Sequence, residues 1–96
     1  MHKIVIRPRA EEDLENIWFY TLDQWGSAQA DTYLDEIKAA ISHLGNNPRL
    51  GKSRENVRTG YRSFQINRHV VFYKVATSTI QIVRVLHAHQ DPEQNL

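Results

Sequence analysis

The chain has 96 residues, no cysteine and a formal net charge of +1 at pH 7. This length supports one domain around one core, which excludes a second catalytic domain, and the lack of cysteine excludes disulfides and thiolate chemistry. The N-terminal apolar run covers only residues 4–6, too short for a signal peptide or a membrane span. We therefore expect a single domain over residues 1–96, a cytoplasmic localisation and no membrane partner.

The first predicted elements are a short strand and a helix. "KIVIR" precedes Pro8, and proline favours an extended residue before it and the first turn of a helix after it. Gly26 is a helix stop and Ser27 a candidate N-cap for the next helix. Spacings of three and four place one helical face at Ala10, Leu14, Ile17, Trp18, Thr21 and Trp25.

A second helix is predicted to end at "GNNPRLG". The turn between the two helices is so short that they must pack as a hairpin. The apolar stripe of the second helix comprises Ala30, Tyr33, Leu34, Ile37, Ile41 and Leu44.

The pattern changes to strands after residue 50. "YRSFQI", "HVVFYKV" and "TIQIVRVLHA" are rich in β-branched and aromatic residues, with "NR" and "ATS" as turns. The last strand is apolar on both faces, which favours a central position. We predict an α+β fold in which an N-terminal short strand and helical hairpin pack on a small, mainly antiparallel sheet, in the order β-α-α-β-β-β, followed by a loosely held polar tail.

"GNNPRLGKS" is similar to a phosphate-binding loop of the type G-x-x-x-x-G-K-[ST]. Five residues separate its glycines where that motif has four, and it follows a helix instead of a strand. Backbone N–H groups and a helix N-terminus would not converge on a phosphate here, so nucleotide hydrolysis is not expected.

Charge is segregated along the chain. Residues 9–38 contain eight acids and two bases, whereas residues 49–74 contain seven bases and one acid, so the segments carry −6 and +6. The basic segment indicates a surface for an acidic partner, either nucleic acid or protein. The alternative is that the two segments face each other or the solvent.

"RVLHAHQD" near the C-terminus allows three interpretations: a metal site, an acid–base pair, or the polar end of a strand. In a continuing strand, His87 and His89 would lie side by side on one face. Zinc requires three or four ligands, so His2, His43 or His69 would have to be added by folding. Arg84, inside an apolar strand, either pairs with an acid from the helices or faces outward with Arg62.

Four phrases, in this order, resemble the RelE/ParE superfamily of toxins from bacterial type II toxin–antitoxin systems, and most closely its ParE branch. They cover nearly all of the chain and imply the same sheet and hairpin. The phrases are "RPRAEEDLENIWFYTLDQWG", "NPRLGKSRENVRTGYRSF", "HVVFYKV" and "IQIVRVLHAHQD".

The resemblance implies one of two mechanisms. RelE-like members cut messenger RNA on the ribosome with basic residues on the sheet, whereas ParE-like members poison DNA gyrase. Arg62 matches a basic position of the RNA-cutting branch, but that branch's other arginines fall near Val70 and Gln90, and no aromatic residue follows Tyr73. ParE-like chains often have arginine where this chain has Gln90.

By resemblance, we expect a gyrase-inhibiting toxin without catalytic residues, cofactor or metal, neutralised by a ParD-like antitoxin in a hetero-oligomer. DNA contact would come only through the antitoxin or gyrase. The alternatives are a RelE-type ribosome-dependent endoribonuclease and a non-toxic member that only binds the antitoxin or autoregulates at DNA. Candidates for contact with the target or antitoxin are Arg58, Arg62, Tyr73, Arg84, His87 and His89. Candidates for an apolar groove that receives an amphipathic antitoxin segment are Leu14, Ile17, Trp18, Tyr33 and Ile37.

Overall fold

The computed structural model describes residues 1–96 and shows an α+β domain, as predicted. The sheet has the strand order β1-β5-β4-β3-β2. β1 runs parallel to β5 and every other neighbouring pair is antiparallel. The elements are β1 (Lys3–Ile6), α1 (Pro8–Trp25), α2 (Ser27–Asn46), β2 (Lys52–Ser53), β3 (Tyr61–Ile66), β4 (His69–Val75), β5 (Thr79–His87) and α3 (Pro92–Asn95).

The two long helices begin and end near the predicted residues. Pro8 opens α1 after Arg7 in an extended conformation. Gly26 ends α1 with φ 91°, a value that favours glycine, and its N–H donates to the carbonyl of Leu22. The prediction of Ser27 as N-cap was wrong, because Gly26 holds that position and Ser27 is already the first residue of α2.

The three predicted strands and their two turns are confirmed as β3, β4 and β5. β5 is central because β1 pairs with its Thr79–Ile82 half on one side and β4 lies on the other. The two-residue β2 was not predicted, since Lys52 and Ser53 form a strand only by pairing with Ser63 and Arg62.

The helices cover one face of the sheet and enclose the core. Neither is long and apolar enough to cross a membrane. The main apolar cluster comprises Ala10, Leu14, Ile17, Ile37, Ile41, Leu44, Val71, Tyr73, Ile80, Ile82 and Val85. Trp25 belongs to the predicted apolar face of the first helix, but it is 71% exposed at the end of α1.

The C-terminal tail is held against the domain, contrary to the prediction that it is loose. The Asp91 carboxylate accepts from the Glu93 N–H and caps α3. The Arg84 guanidinium donates to the carbonyl of Asn95, and Arg58 Nη2 donates to the main-chain oxygen of Leu96 at 2.9 Å. Two strand or loop arginines thus anchor a tail whose own sequence is polar.

Candidate functional site

Strand pairing brings together histidines that are distant in sequence. His69 opens β4 and lies opposite His87, which ends β5, with the two ring centroids 5.3 Å apart. His89 stacks on His87 with centroids 5.0 Å apart. β5 ends at His87, so the strand does not continue to His89. The two histidines nevertheless lie side by side, as expected, with stacked rings.

His69 is the most perturbed member of this cluster. Its Nδ1 lies 2.6 Å from the hydroxyl of Tyr33 on α2. Burial, and secondly the charge of His87, lower the pKa of His69 to about 4. His69 is therefore neutral at pH 7, and burial raises the pKa of Tyr33. No group of three or more histidine or carboxylate side chains is placed to hold a metal ion.

These residues form one wall of a cleft of about 950 Å³ between the helical hairpin and the sheet. We call it the histidine cleft and define it by Tyr20, Trp25, Tyr33, His69 and His87. The Tyr20 and Trp25 side chains are 67% and 71% exposed. Exposed aromatic side chains beside polar groups are typical of a protein-binding site.

Only part of the predicted apolar groove is available at the surface. Leu14 and Ile37 are buried in the core, so the prediction that they line an open groove was wrong. Ile17 is buried too but reaches the floor of the histidine cleft, and Tyr33 lines it. Trp18 lies elsewhere on the hairpin, where its Nε1 donates to Asp31 at 2.9 Å.

Arg84 forms an ion pair inside the domain, which is one of the two alternatives that its sequence position allowed. Its Nε and Nη2 donate to the two carboxylate oxygens of Asp13 on α1 at 2.7 and 3.0 Å. The side chains of Arg84 and Asp13 are only 12% and 13% exposed. The Asp13 carboxylate also accepts from the Val85 N–H at 2.9 Å. The pairing of β1 with β5 ends at Ile82, so Asp13 supplies the acceptor that a neighbouring strand does not provide there.

Tyr73 and Arg62 hold the loop that precedes β2. Tyr73 is fully buried, so its proposed contact with a target was wrong. Its hydroxyl donates to the carbonyl of Pro48 at 2.8 Å and accepts from the Gly51 N–H at 2.9 Å. Arg62 Nε and Nη2 donate to the carbonyls of Gly51 and Arg49 at 2.9 and 3.2 Å.

Gly51 is required by the same arrangement. A Cβ atom there would lie 2.7 Å from the Ser63 carbonyl oxygen and closer still to the Tyr73 hydroxyl. The loop is thus fixed, with Leu50 and Arg49 exposed at its tip. Arg58 is exposed in the following loop.

Sequence reasoning missed three members of the sites described above. His69 is assigned to the cleft only by the β4–β5 register. Tyr20 did give a signal, because it lies off the apolar stripe of α1 and an aromatic residue on the polar face of a helix is unusual. Arg49 was counted in the basic segment without a place in the fold.

Named relatives are similar to this chain over almost its whole length. A family model described as the ParE toxin of type II toxin–antitoxin system, parDE, matches residues 4–92. The chain is 41% identical over 95 residues to Toxin ParE1 of Mycobacterium tuberculosis, covering 98% of this chain and 97% of that protein. It is 40% identical over 88 residues to Toxin ParE1 of Caulobacter vibrioides, covering 92% and 91%.

Solved structures agree on the fold. A chain of the chromosomal ParDE TA system from P. aeruginosa matches with a TM-score of 0.82 at 20% identity, covering 93% of this chain and 98% of that one. A chain of the YoeB-YefM complex from Staphylococcus aureus matches with a TM-score of 0.61 at 21% identity, covering 91% and 97%. At these identities the likeness concerns the fold alone.

Proposed function

The chain belongs to the ParE toxin family of type II toxin–antitoxin systems, and from that premise we propose that it inhibits DNA gyrase by binding, without catalysis of its own. A cognate ParD-like antitoxin would neutralise it. The observation that carries the proposal is the family match over residues 4–92, together with curated ParE relatives about as long as this chain.

The hydrogen bonds that the strand arginines make within the protein support binding over catalysis. A ribonuclease needs cationic donors aimed at the phosphate as negative charge develops, and loss of one such donor typically costs about 10²–10³ in rate. Arg84 is paired with Asp13, and two guanidinium nitrogens of Arg62 donate to loop carbonyls. By the resemblance, two further arginines of the RNA-cutting branch fall near Val70 and Gln90, which carry no charge.

The histidine cleft supports a protein partner. Its rim carries the exposed side chains of Tyr20 and Trp25, and its wall carries the polar groups of Tyr33, His69 and His87. Interface centres are enriched in aromatic residues and fit amphipathic segments with a few polar contacts. We propose that this cleft receives part of the antitoxin.

The test is a supercoiling assay with purified gyrase and the full-length toxin. We expect lost supercoiling or trapped cleaved DNA, relieved by adding the antitoxin encoded beside the toxin gene. The double variant His69→Gln with His87→Gln, checked for an unchanged fold by circular dichroism, should still inhibit, because no proton transfer is needed. No effect of the wild-type toxin on gyrase would contradict the proposal.

A second candidate function is a RelE-type endoribonuclease, for which the specific observation is that His69, His87 and Tyr33 lie together in one cleft. Imidazole and phenol side chains are among the groups that perform general acid–base catalysis. Translating ribosomes mixed with the toxin provide the test. Codon-specific cuts in messenger RNA that disappear in the double histidine variant would establish this alternative in place of gyrase inhibition.

A further inference from the structure

A second open cleft, of about 830 Å³, lies at the end of the sheet opposite the histidine cleft. We call it the arginine cleft and define it by Arg49, Leu50, Ser53, Arg62 and Val75. β4 runs from His69, in the histidine cleft, to Val75, in the arginine cleft. At about 3.3 Å per strand residue, these two residues are about 20 Å apart. One short segment of a partner therefore does not fill both clefts.

The strand residues of the arginine cleft lie on one face of the sheet, which is the face that the helices cover. Arg62 on β3 lies opposite Ser53 on one side and Tyr73 on the other. Val75 follows Tyr73 by two residues on β4, so the two side chains share a face. Tyr73 belongs to the core beneath the helices, which identifies that face.

The loop before β2 completes the cleft on the same face. The hydroxyl of Tyr73 bonds to the carbonyl of Pro48 and to the N–H of Gly51. Arg49 and Leu50 lie between these two anchored residues and are exposed. Because the tip is already fixed at both ends, a partner that binds it has little loop entropy to remove.

The arginines of the cleft have no acidic partner within the chain, since the ion pair of Arg84 with Asp13 is the one salt bridge between side chains. Arg62 donates from Nε and Nη2 to loop carbonyls, so Nη1 keeps its hydrogens for a ligand. Glu55 is the one acid in the lining, and its carboxylate accepts from the Gly60 N–H of its own loop. A carboxylate from outside would meet a positioned guanidinium, and hydrogen bonds between arginine and carboxylate are among the strongest in proteins.

Apolar side chains flank these charges. Leu50 and Val75 are 45% and 38% exposed in the cleft. Arginine is enriched at the energetic centres of protein interfaces, which are ringed by contacts that exclude water. Nucleic acid binding depends instead on many cations along a phosphate backbone, and this lining has two arginines and no lysine. The cleft therefore fits an acidic side chain between apolar neighbours on a protein.

We propose that the toxin holds its target through the arginine cleft, which takes an acidic, apolar-flanked segment of DNA gyrase. The assignment rests on the proposed function, which names the target but no surface for it. It gives the target and the antitoxin different clefts, because the histidine cleft with its exposed aromatic rings is assigned to the antitoxin. Arg62 was a contact candidate from the sequence, and Arg49 and Leu50 are added to it.

The test measures the dissociation constant of full-length toxin and purified gyrase without DNA, and the toxin concentration that halves supercoiling. Arg49→Glu with Leu50→Ala should raise both by about a hundredfold, because it sets like charges against each other and removes an apolar contact. Neither side chain makes a hydrogen bond in the protein, so the circular dichroism spectrum and the urea midpoint should be unchanged. The affinity for the antitoxin should change less than about threefold.

A second double variant tests the sign of the partner's charge. Arg49→Gln with Leu50→Ala should raise the two quantities by only about tenfold, because glutamine removes the attraction to an acid without adding repulsion. Equal effects of glutamate and glutamine would show that the partner presents no acid there and would overturn the proposal.

The matched control is Arg9→Glu with Phe19→Ala, which makes the same charge change and removes an exposed apolar side chain outside both clefts. It should change gyrase inhibition less than about threefold. Equal losses in the control and the cleft variant would overturn the proposal, as would gyrase binding that requires DNA. An equal loss of antitoxin affinity in the cleft variant would assign the cleft to the antitoxin instead.

Failure of this assignment is distinguishable from failure of the proposed function. A wild-type toxin that inhibits gyrase, with a cleft variant that inhibits equally well, contradicts the arginine cleft alone. A wild-type toxin without effect on gyrase contradicts the proposed function and the assignment together.

Discussion

The role of Arg84 is determined by the residue that packs against it in the fold. Its position between Val83 and Val85 allowed either a surface role or an internal pair. In the structure, Asp13 accepts two hydrogen bonds from the Arg84 guanidinium. These bonds raise the pKa of Arg84, although burial acts in the opposite direction. The same carboxylate accepts from the Val85 N–H, so it pairs with a backbone donor at the edge of β5 as well as with the arginine.

We expect Arg84→Ala to destabilise the fold by about 3 kcal/mol, because it leaves the mostly buried Asp13 carboxylate without its cation. Arg68→Ala is the control, since Arg68 is exposed and its side chain makes no hydrogen bond. Its cost should stay below about 0.5 kcal/mol. Urea unfolding of both variants measures the difference. A loss of toxicity in Arg84→Ala at unchanged stability would instead assign Arg84 to a contact surface.

At the scale of elements, the pairing of β4 with β5 creates the titratable cluster. His69 faces His87 across the strands, with Tyr33 and Glu36 on α2 and Arg68 in the adjacent turn around the same cleft. The lowered pKa of His69, about 4, is a property of this packing. It makes the stability of the strand end depend on pH.

The direction of this dependence follows from proton binding. The unfolded chain has a histidine pKa of about 6.5, so between pH 6.5 and 4 it binds more protons at His69 than the folded chain does. The stabilisation from neutral His69 is therefore complete above about pH 6.5 and lost as the pH falls towards 4.

We expect the urea midpoint to fall less between pH 7 and pH 4.5 in His69→Gln than in the wild type. Glutamine does not titrate but can still hydrogen-bond to the Tyr33 hydroxyl. His43→Gln removes an exposed histidine of α2 and should keep the wild-type pH dependence. Parallel curves for His69→Gln and the wild type would show that His69 does not carry this effect.

At the scale of the whole molecule, the histidine cleft is the place where the hairpin and the sheet leave an open surface between them. It lies between the hairpin and the ends of β4 and β5. Two of the residues that line it, Tyr20 and Trp25, are exposed aromatic residues of α1.

We expect Trp25→Ala to weaken the complex with the antitoxin by about thirtyfold, the effect of losing an aromatic hot spot worth roughly 2 kcal/mol. Phe19→Ala is the control, because Phe19 is 61% exposed on the same helix but does not line the histidine cleft. Calorimetric titration should show less than about a threefold change for it. Equal losses in the two variants would place the antitoxin elsewhere on α1.

The order and type of the main elements could be predicted from the sequence. Local signals were sufficient: Pro8 and Gly26 bound α1, the three- and four-residue spacing marks both helices, and β-branched runs mark β3 to β5. The basic segment was equally visible as composition. These features depend on neighbours a few residues away, which a single sequence contains.

Only the tertiary structure decided which distant groups meet. His69 and His87 face each other because of the β4–β5 register, Asp13 reaches Arg84 across 71 positions of the chain, and Tyr73 is buried because the Pro48–Gly51 loop folds over it. The apolar stripes of α1 and α2 predicted that these faces are covered but not which element covers them. Leu14 and Ile37 were therefore assigned to a groove, although they pack in the core with residues of the sheet. Periodicity specifies which face of an element is apolar, whereas the packing of whole elements determines what that face contacts.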